Sequence, residues 1–119
     1  MNQTAAYQNS TVTTVPPGQI VVLLYEAAIK NLKQALIEME AGRFEEKNNR
    51  VKKAMDIITE LRSSLDMEVG GEIAENLKRL YDFMVRHLNC VNRVEQGQRF
   101  REVIAILGDL NEAWKTLSE

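Results

Sequence analysis

The 119-residue chain holds one cysteine, one histidine and two prolines, and each scarcity closes off a class of protein. Cys90 alone cannot form an internal disulfide, so nothing ties the fold to an oxidising compartment. With His87 the only histidine, the paired Glu-x-x-His motifs of a di-iron bundle are excluded. A bundle haem would lack its second axial ligand from the same residue type. Both prolines sit together at Pro16-Pro17, leaving about a hundred residues without the strongest helix breaker. Long helices are expected and a strand-rich fold is not. Basic charge is not in excess: 15 Lys+Arg stand against 17 Asp+Glu, which argues against nucleic acid as a partner. The longest apolar run, Ile20 to Tyr25, is about a third of the ~18–20 residues of a membrane span, so no membrane insertion is expected. The opening residues, Met1 to Ala6, show neither the basic start nor the apolar stretch of a signal peptide. A soluble, cytoplasmic protein is the economical expectation.

At 45% hydrophobic and 27% charged, the composition is that of one ordinary globular domain. Residues 1–18 read as a flexible N-terminal arm: Thr4, Asn9, Ser10, Thr11, Thr13 and Thr14 are poor helix formers, and Tyr7 is its one aromatic. Residues 19–119 then divide into four helical stretches, about Gln19–Ala41, Arg43–Leu65, a third from after Gly70-Gly71 to about Glu95, and Arg99–Leu117. Short links between them force an all-α, antiparallel, up-down-up-down four-helix bundle. The expected core stripes are Val21, Tyr25, Ala28, Leu32, Ala35, Leu36 and Met39; Phe44, Val51, Ala54, Ile58, Leu61 and Leu65; Ile73, Leu77, Leu80, Tyr81, Met84, Leu88 and Val91; and Phe100, Val103, Leu107, Leu110 and Trp114. A faint repeat runs through them. Leu24-Tyr25-Glu26 recurs as Leu80-Tyr81-Asp82 and Arg43-Phe44 as Arg99-Phe100, at one offset of 56 residues. Two similar hairpins about a pseudo-twofold axis would produce it, as would chance among bundle helices.

Enzymatic chemistry finds little footing. His87 and Cys90 are spaced to lie side by side on a helix, yet their neighbours Phe83 and Val94 are apolar and would raise the thiol pKa. Val69-Gly70-Gly71-Glu72 lacks the lysine and spacing of a phosphate-binding loop and reads as a helix junction. The basic residues alternate with acids as on a solvated helix face. No enzyme, cofactor, metal or nucleotide is expected.

Apolar surface, by contrast, is in surplus. A bundle helix needs an apolar arc of a little over 100°. On the third helix Phe83, Cys90 and Val94, with His87 between them, add a second stripe beside the core. Ile20, Leu23 and Ile37 fall away from the core face of the first helix, while Ile57 and Ile106 lie at core edges. Such residues can stay exposed, pack under the arm, or form a groove for a partner's helix or extended segment.

These residues together resemble one family, the flagellar secretion chaperone FliS. The resemblance covers nearly the whole chain. It rests on Ala6-Tyr7 and the Thr-rich arm before Pro16-Pro17, then Leu23-Leu24-Tyr25-Glu26-Ala27-Ala28-Ile29, which is similar to the family's Leu-Tyr-Asp-Gly-Ala-Ile signature. Gly70-Gly71-Glu72-Ile73-Ala74, Asn76-Leu77, Leu80-Tyr81-Asp82-Phe83-Met84 and Trp114 follow in the family's order. Glu26 and Ala27 depart from the usual Asp and Gly. The resemblance implies a cytoplasmic chaperone for export that binds the C-terminal segment of flagellin, blocks premature polymerisation and delivers the subunit to the export gate. It also implies an arm that caps the bundle and moves when flagellin docks. On the helix faces, Ile20, Leu23, Ile57, Phe83, His87, Val94 and Ile106 are the expected partner-binding residues, with Tyr7 competing for or closing the track. The alternative reading is a helical adaptor that dimerises through its wide third helix.

Overall fold

Pro17 opens α1 (Pro17–Glu40), where its missing N–H costs no intrahelical hydrogen bond. The structure, a computed structural model, describes residues 17–118. The expected arm with Tyr7 lies outside the described residues, apart from Pro17 and Gly18. α1 closes as its glycine predicts: Gly42 has φ 77°, Arg43 N donates to Glu38 O at 2.9 Å and Gly42 N to Met39 O at 3.1 Å. α2 (Phe44–Ser63), α3 (Met67–Leu88) and α4 (Arg93–Ser118) follow, and no strand occurs among the described residues. The Asp66 carboxylate caps α3 by accepting from Glu68 N and Val69 N at 3.2 and 3.1 Å.

The four helices form a ring in which α1 and α3 each pack against α2 and α4 and lie diagonally opposite one another. Links of three or four residues between helices that share one core reverse the chain at each step. The core is the expected set of i, i+3/i+4 stripes: Tyr25, Ala28, Leu32 and Ala35 from α1, then Val51, Ala54, Ile58 and Leu61 from α2. Tyr81, Met84 and Leu88 of α3 and Phe100, Val103 and Leu107 of α4 complete it.

Three boundaries differ from the sequence expectation. α3 begins before the glycine pair, at Met67, and kinks at Gly71 (φ 54°, ψ −127°), so Ile73 turns outward and is 72% exposed. α3 also stops at Leu88, and Val91 lies 91% exposed in the link instead of in the core. The chain breaks there because Asn92 offers a cap: its Oδ1 accepts from Val94 N at 2.9 Å, and its carbonyl accepts from Glu95 N and Gln96 N. Asn92 with Glu95 three residues on is a capping-box spacing that starts α4 six residues earlier than expected. Gly97 is thereby helical and buried. A side chain there would come 3.2 Å from Met39 Cε, so its absence lets α4 lie close to the end of α1.

Across the diagonal, the Tyr25 and Tyr81 hydroxyls hydrogen-bond each other in the core, and the Trp114 side chain also bonds Tyr25. These are the two tyrosines of the 56-residue repeat. A buried hydroxyl is costly unless partnered, so each satisfies the other. Burial raises both pKa values above the usual 10.0, Tyr81's far above. Tyr81→Phe is expected to cost about 1–2 kcal/mol in urea unfolding, because it removes the buried bond between the two helices and leaves Tyr25 only its bond with Trp114. The raised folded-state pKa values mean that the pair's contribution is complete below pH about 10, the unfolded value, and fades as pH climbs beyond it. Stability measured from pH 8 upward should therefore fall above pH about 10, and fall less steeply in the Tyr25→Phe/Tyr81→Phe double variant.

Candidate functional site

Among the described residues no group of three or more His, Cys, Asp or Glu side chains converges as a metal would require. His87 and Cys90 do not meet as a dyad. The Cys90 thiol lies in the α3–α4 link, 3.8 Å from Asn92 O, whereas His87 is engaged elsewhere. No described helix is long and apolar enough to cross a membrane.

What the structure does assemble is apolar surface. On α1, Leu23 is 57% exposed and Ile20 stands beside it one turn back, at the edge of exposure. On α3, Phe83 is 40% exposed and stacks on His87, with ring centroids 4.9 Å apart. His87 Nε2 in turn lies 2.5 Å from Glu102 Oε1 of α4, and this contact holds the Glu102 carboxyl below its ordinary pKa. Val94 is almost wholly exposed, yet it joins His87 in lining a shallow surface cavity of about 370 Å³. Of the expected stripe of Phe83, Cys90 and Val94 with His87 between them, Phe83 and Val94 each meet His87. Val94 does so from α4 and beside the polar Glu95, Gln98, Arg99 and Glu102, whereas Cys90 lies in the α3–α4 link and lines a different cleft. Ile57 and Ile106 are different: both are half-buried and pack against the core.

A more apolar feature is absent from the sequence pattern. At the end of the bundle where α1 begins and α4 finishes, a groove of about 280 Å³ runs between Val21, Leu65, Val69, Ile73, Leu77 and Trp114. Its lining is predominantly apolar, with Tyr81 at its inner wall. Ile73 and Leu77 fit the core period, so the pattern alone counted them as interior. The kink at Gly71 is what rotates Val69 and Ile73 to the groove, and only the glycine pair hinted at it.

The sequence profile of the family described as Flagellar protein FliS matches residues 1–119. The chain is 41% identical over 106 residues to the flagellar secretion chaperone FliS of Vibrio cholerae, covering 89% of this chain and 78% of that protein. It is 38% identical over 110 residues to the chaperone of the same name from Salmonella typhimurium, covering 92% and 82%. With the Bacillus subtilis flagellar secretion chaperone FliS it shares 32% identity over 114 residues, 96% of this chain and 84% of that one.

The groove depends on a backbone conformation that a Cβ opposes. Gly71→Ala should therefore destabilise by about 1–3 kcal/mol in urea unfolding. Gly108, inside α4 with open space where a Cβ would sit, should respond to the same change with a gain of about 0.5–1 kcal/mol.

Proposed function

The chain belongs to the family of flagellar protein FliS, and from that premise we propose that it is a cytoplasmic export chaperone for flagellin. It holds the C-terminal segment of flagellin, prevents premature polymerisation, and brings the subunit to the export gate as a chaperone–flagellin complex. The family's chaperone names imply a non-enzymatic role. Support comes chiefly from one observation: the bundle satisfies its core and still presents apolar side chains on α1, on α3 and in the end groove.

The energetics favour an extended track over a single pocket. Ordering a client segment costs ~1–2 kcal/mol per residue in backbone entropy. At ~25 cal/mol per Å² of apolar surface, about 40–80 Å² must be buried per ordered residue merely to offset that cost. One groove does not supply this for a long segment. A client that passes over Leu23 and Ile20, the Phe83–His87–Val94 patch and the end groove gathers it from several faces. Ile57 and Ile106 contribute only their outer edges.

Two measurements test this. Full-length flagellin should be captured by the purified chain and C-terminally truncated flagellin should not; equal capture of both overturns the segment assignment. Leu23→Asp or Phe83→Asp should weaken flagellin binding at least tenfold, about 1.4 kcal/mol, while the melting temperature moves little. Ile57→Asp should lower both, because that side chain also packs on the core. If light scattering showed a stable dimer that ignored flagellin, the adaptor reading would replace this one.

A further inference from the structure

Lys47, in the first turn of α2, is the one buried charged residue among those described, and its partner is neutral. The residue is 3% exposed, and its Nζ donates to Gln96 Oε1 of α4 at 2.9 Å. No carboxylate of the described residues stands within ion-pair distance of it. The Gln96 amide is itself fixed, since its Nε2 donates to Cys90 O at 2.6 Å and so turns Oε1 toward the ammonium. An ammonium has three donors, and a buried charge ordinarily demands an opposite one. Burial, and secondarily the neighbouring Arg93, push the Lys47 pKa below its usual value.

Lys47 lines a cleft of about 350 Å³ between the start of α2 and the α3–α4 link. Val51, Met55, Leu88 and Phe100 form apolar walls and no acidic residue lines it; Lys52 adds a second, exposed cation, whose Nζ lies 3.5 Å from Asp56 Oδ2 one turn further along α2. Arg93 remains beside it, seated over the Phe44 ring at 3.9 Å. Val91, almost fully exposed, stands at the edge of the same cleft.

We infer that this cleft is a second binding site, distinct from the apolar track, and that it takes an aspartate or glutamate side chain of a bound polypeptide. The cation with its amide partner supplies the complement to a carboxylate. Two flexible lysines without a planar guanidinium fork in the lining suit one carboxylate better than a phosphate, which favours bidentate arginines. Val91 argues for a polypeptide: its exposed side chain gives a neighbouring apolar residue a contact that a free small anion would not use. This assignment stands on Lys47 and Gln96 and does not rest on the flagellin reading.

The test is an NMR titration of the full chain with two capped pentapeptides, one carrying glutamate between two leucines and the other glutamine, at constant ionic strength. The glutamate peptide should shift the backbone amides of Lys47, Asn89, Cys90 and Gln96 saturably and bind at least tenfold more tightly than its glutamine twin. Lys47→Met should erase that preference, and Lys52→Ala, on an exposed side chain that leaves the fold intact, should reduce it severalfold. Equal binding of the two peptides overturns the site, as does a preference that survives either substitution unchanged. Sodium acetate saturating the same amides as tightly as the glutamate peptide would overturn the polypeptide assignment.

Discussion

A hydroxyl placed in the middle of a helical bundle must find a partner there, and Tyr25 and Tyr81 find each other. Their bond joins α1 to α3, the diagonal pair whose backbones do not approach. It therefore ties the rotation of one helix to that of the other. Leu23 lies two residues before Tyr25 and Phe83 two after Tyr81, each about 200° around its helix from the buried ring. Turning both tyrosines inward turns Leu23 and Phe83 outward. The interior hydrogen bond and the exposed apolar surface are consequences of one register.

That register explains how much of the protein is legible in its sequence. Stripes of period 3.6 announce four helices and nearly all of the core, because burial of one face is the constraint that such periodicity records. The same logic reads through local breaks. The apolar period continues across Asn89 to Asn92 without interruption, so the pattern carries α3 on to Glu95, while the real stop is a backbone cap by a single asparagine. Val94 reaches the His87 patch all the same, because the link reverses the chain beside the residue it has just left. The end groove escapes for the opposite reason. Ile73 keeps the core period in sequence, and only the unusual dihedrals of Gly71 move it outside.

The outer ties of α3 are modest. Arg62 Nε reaches Asp82 Oδ1 at 2.6 Å and His87 reaches Glu102, but the Arg62 and Asp82 side chains are well exposed and screened by solvent. α3 is also the helix least extensively packed on its neighbours, and it carries the kink. Surfaces that admit a partner are drawn from the less stable parts of a fold, where adjustment costs little. Phe83, Val69 and Ile73 all belong to this helix. The diagonal tyrosine bond thus anchors the middle of an element whose N-terminal turn lies largely exposed outside the core.

Two of the polar placements in the interior differ in one respect that decides their consequences. Tyr25, Tyr81 and Trp114 form a closed set, in which buried polar groups answer one another, and such a set specifies geometry without inviting anything in. Lys47 and Gln96 form an open one: the amide answers part of the ammonium's hydrogen-bonding capacity and none of its charge. Replacing Lys47 by an apolar residue would be the simpler way to fill that corner of α2, since burying a cation beside a neutral partner lowers stability. A closed pair can be explained by folding alone. An open pair at the wall of a cleft whose lining holds no acid to complete it is explained by a carboxylate that arrives from outside.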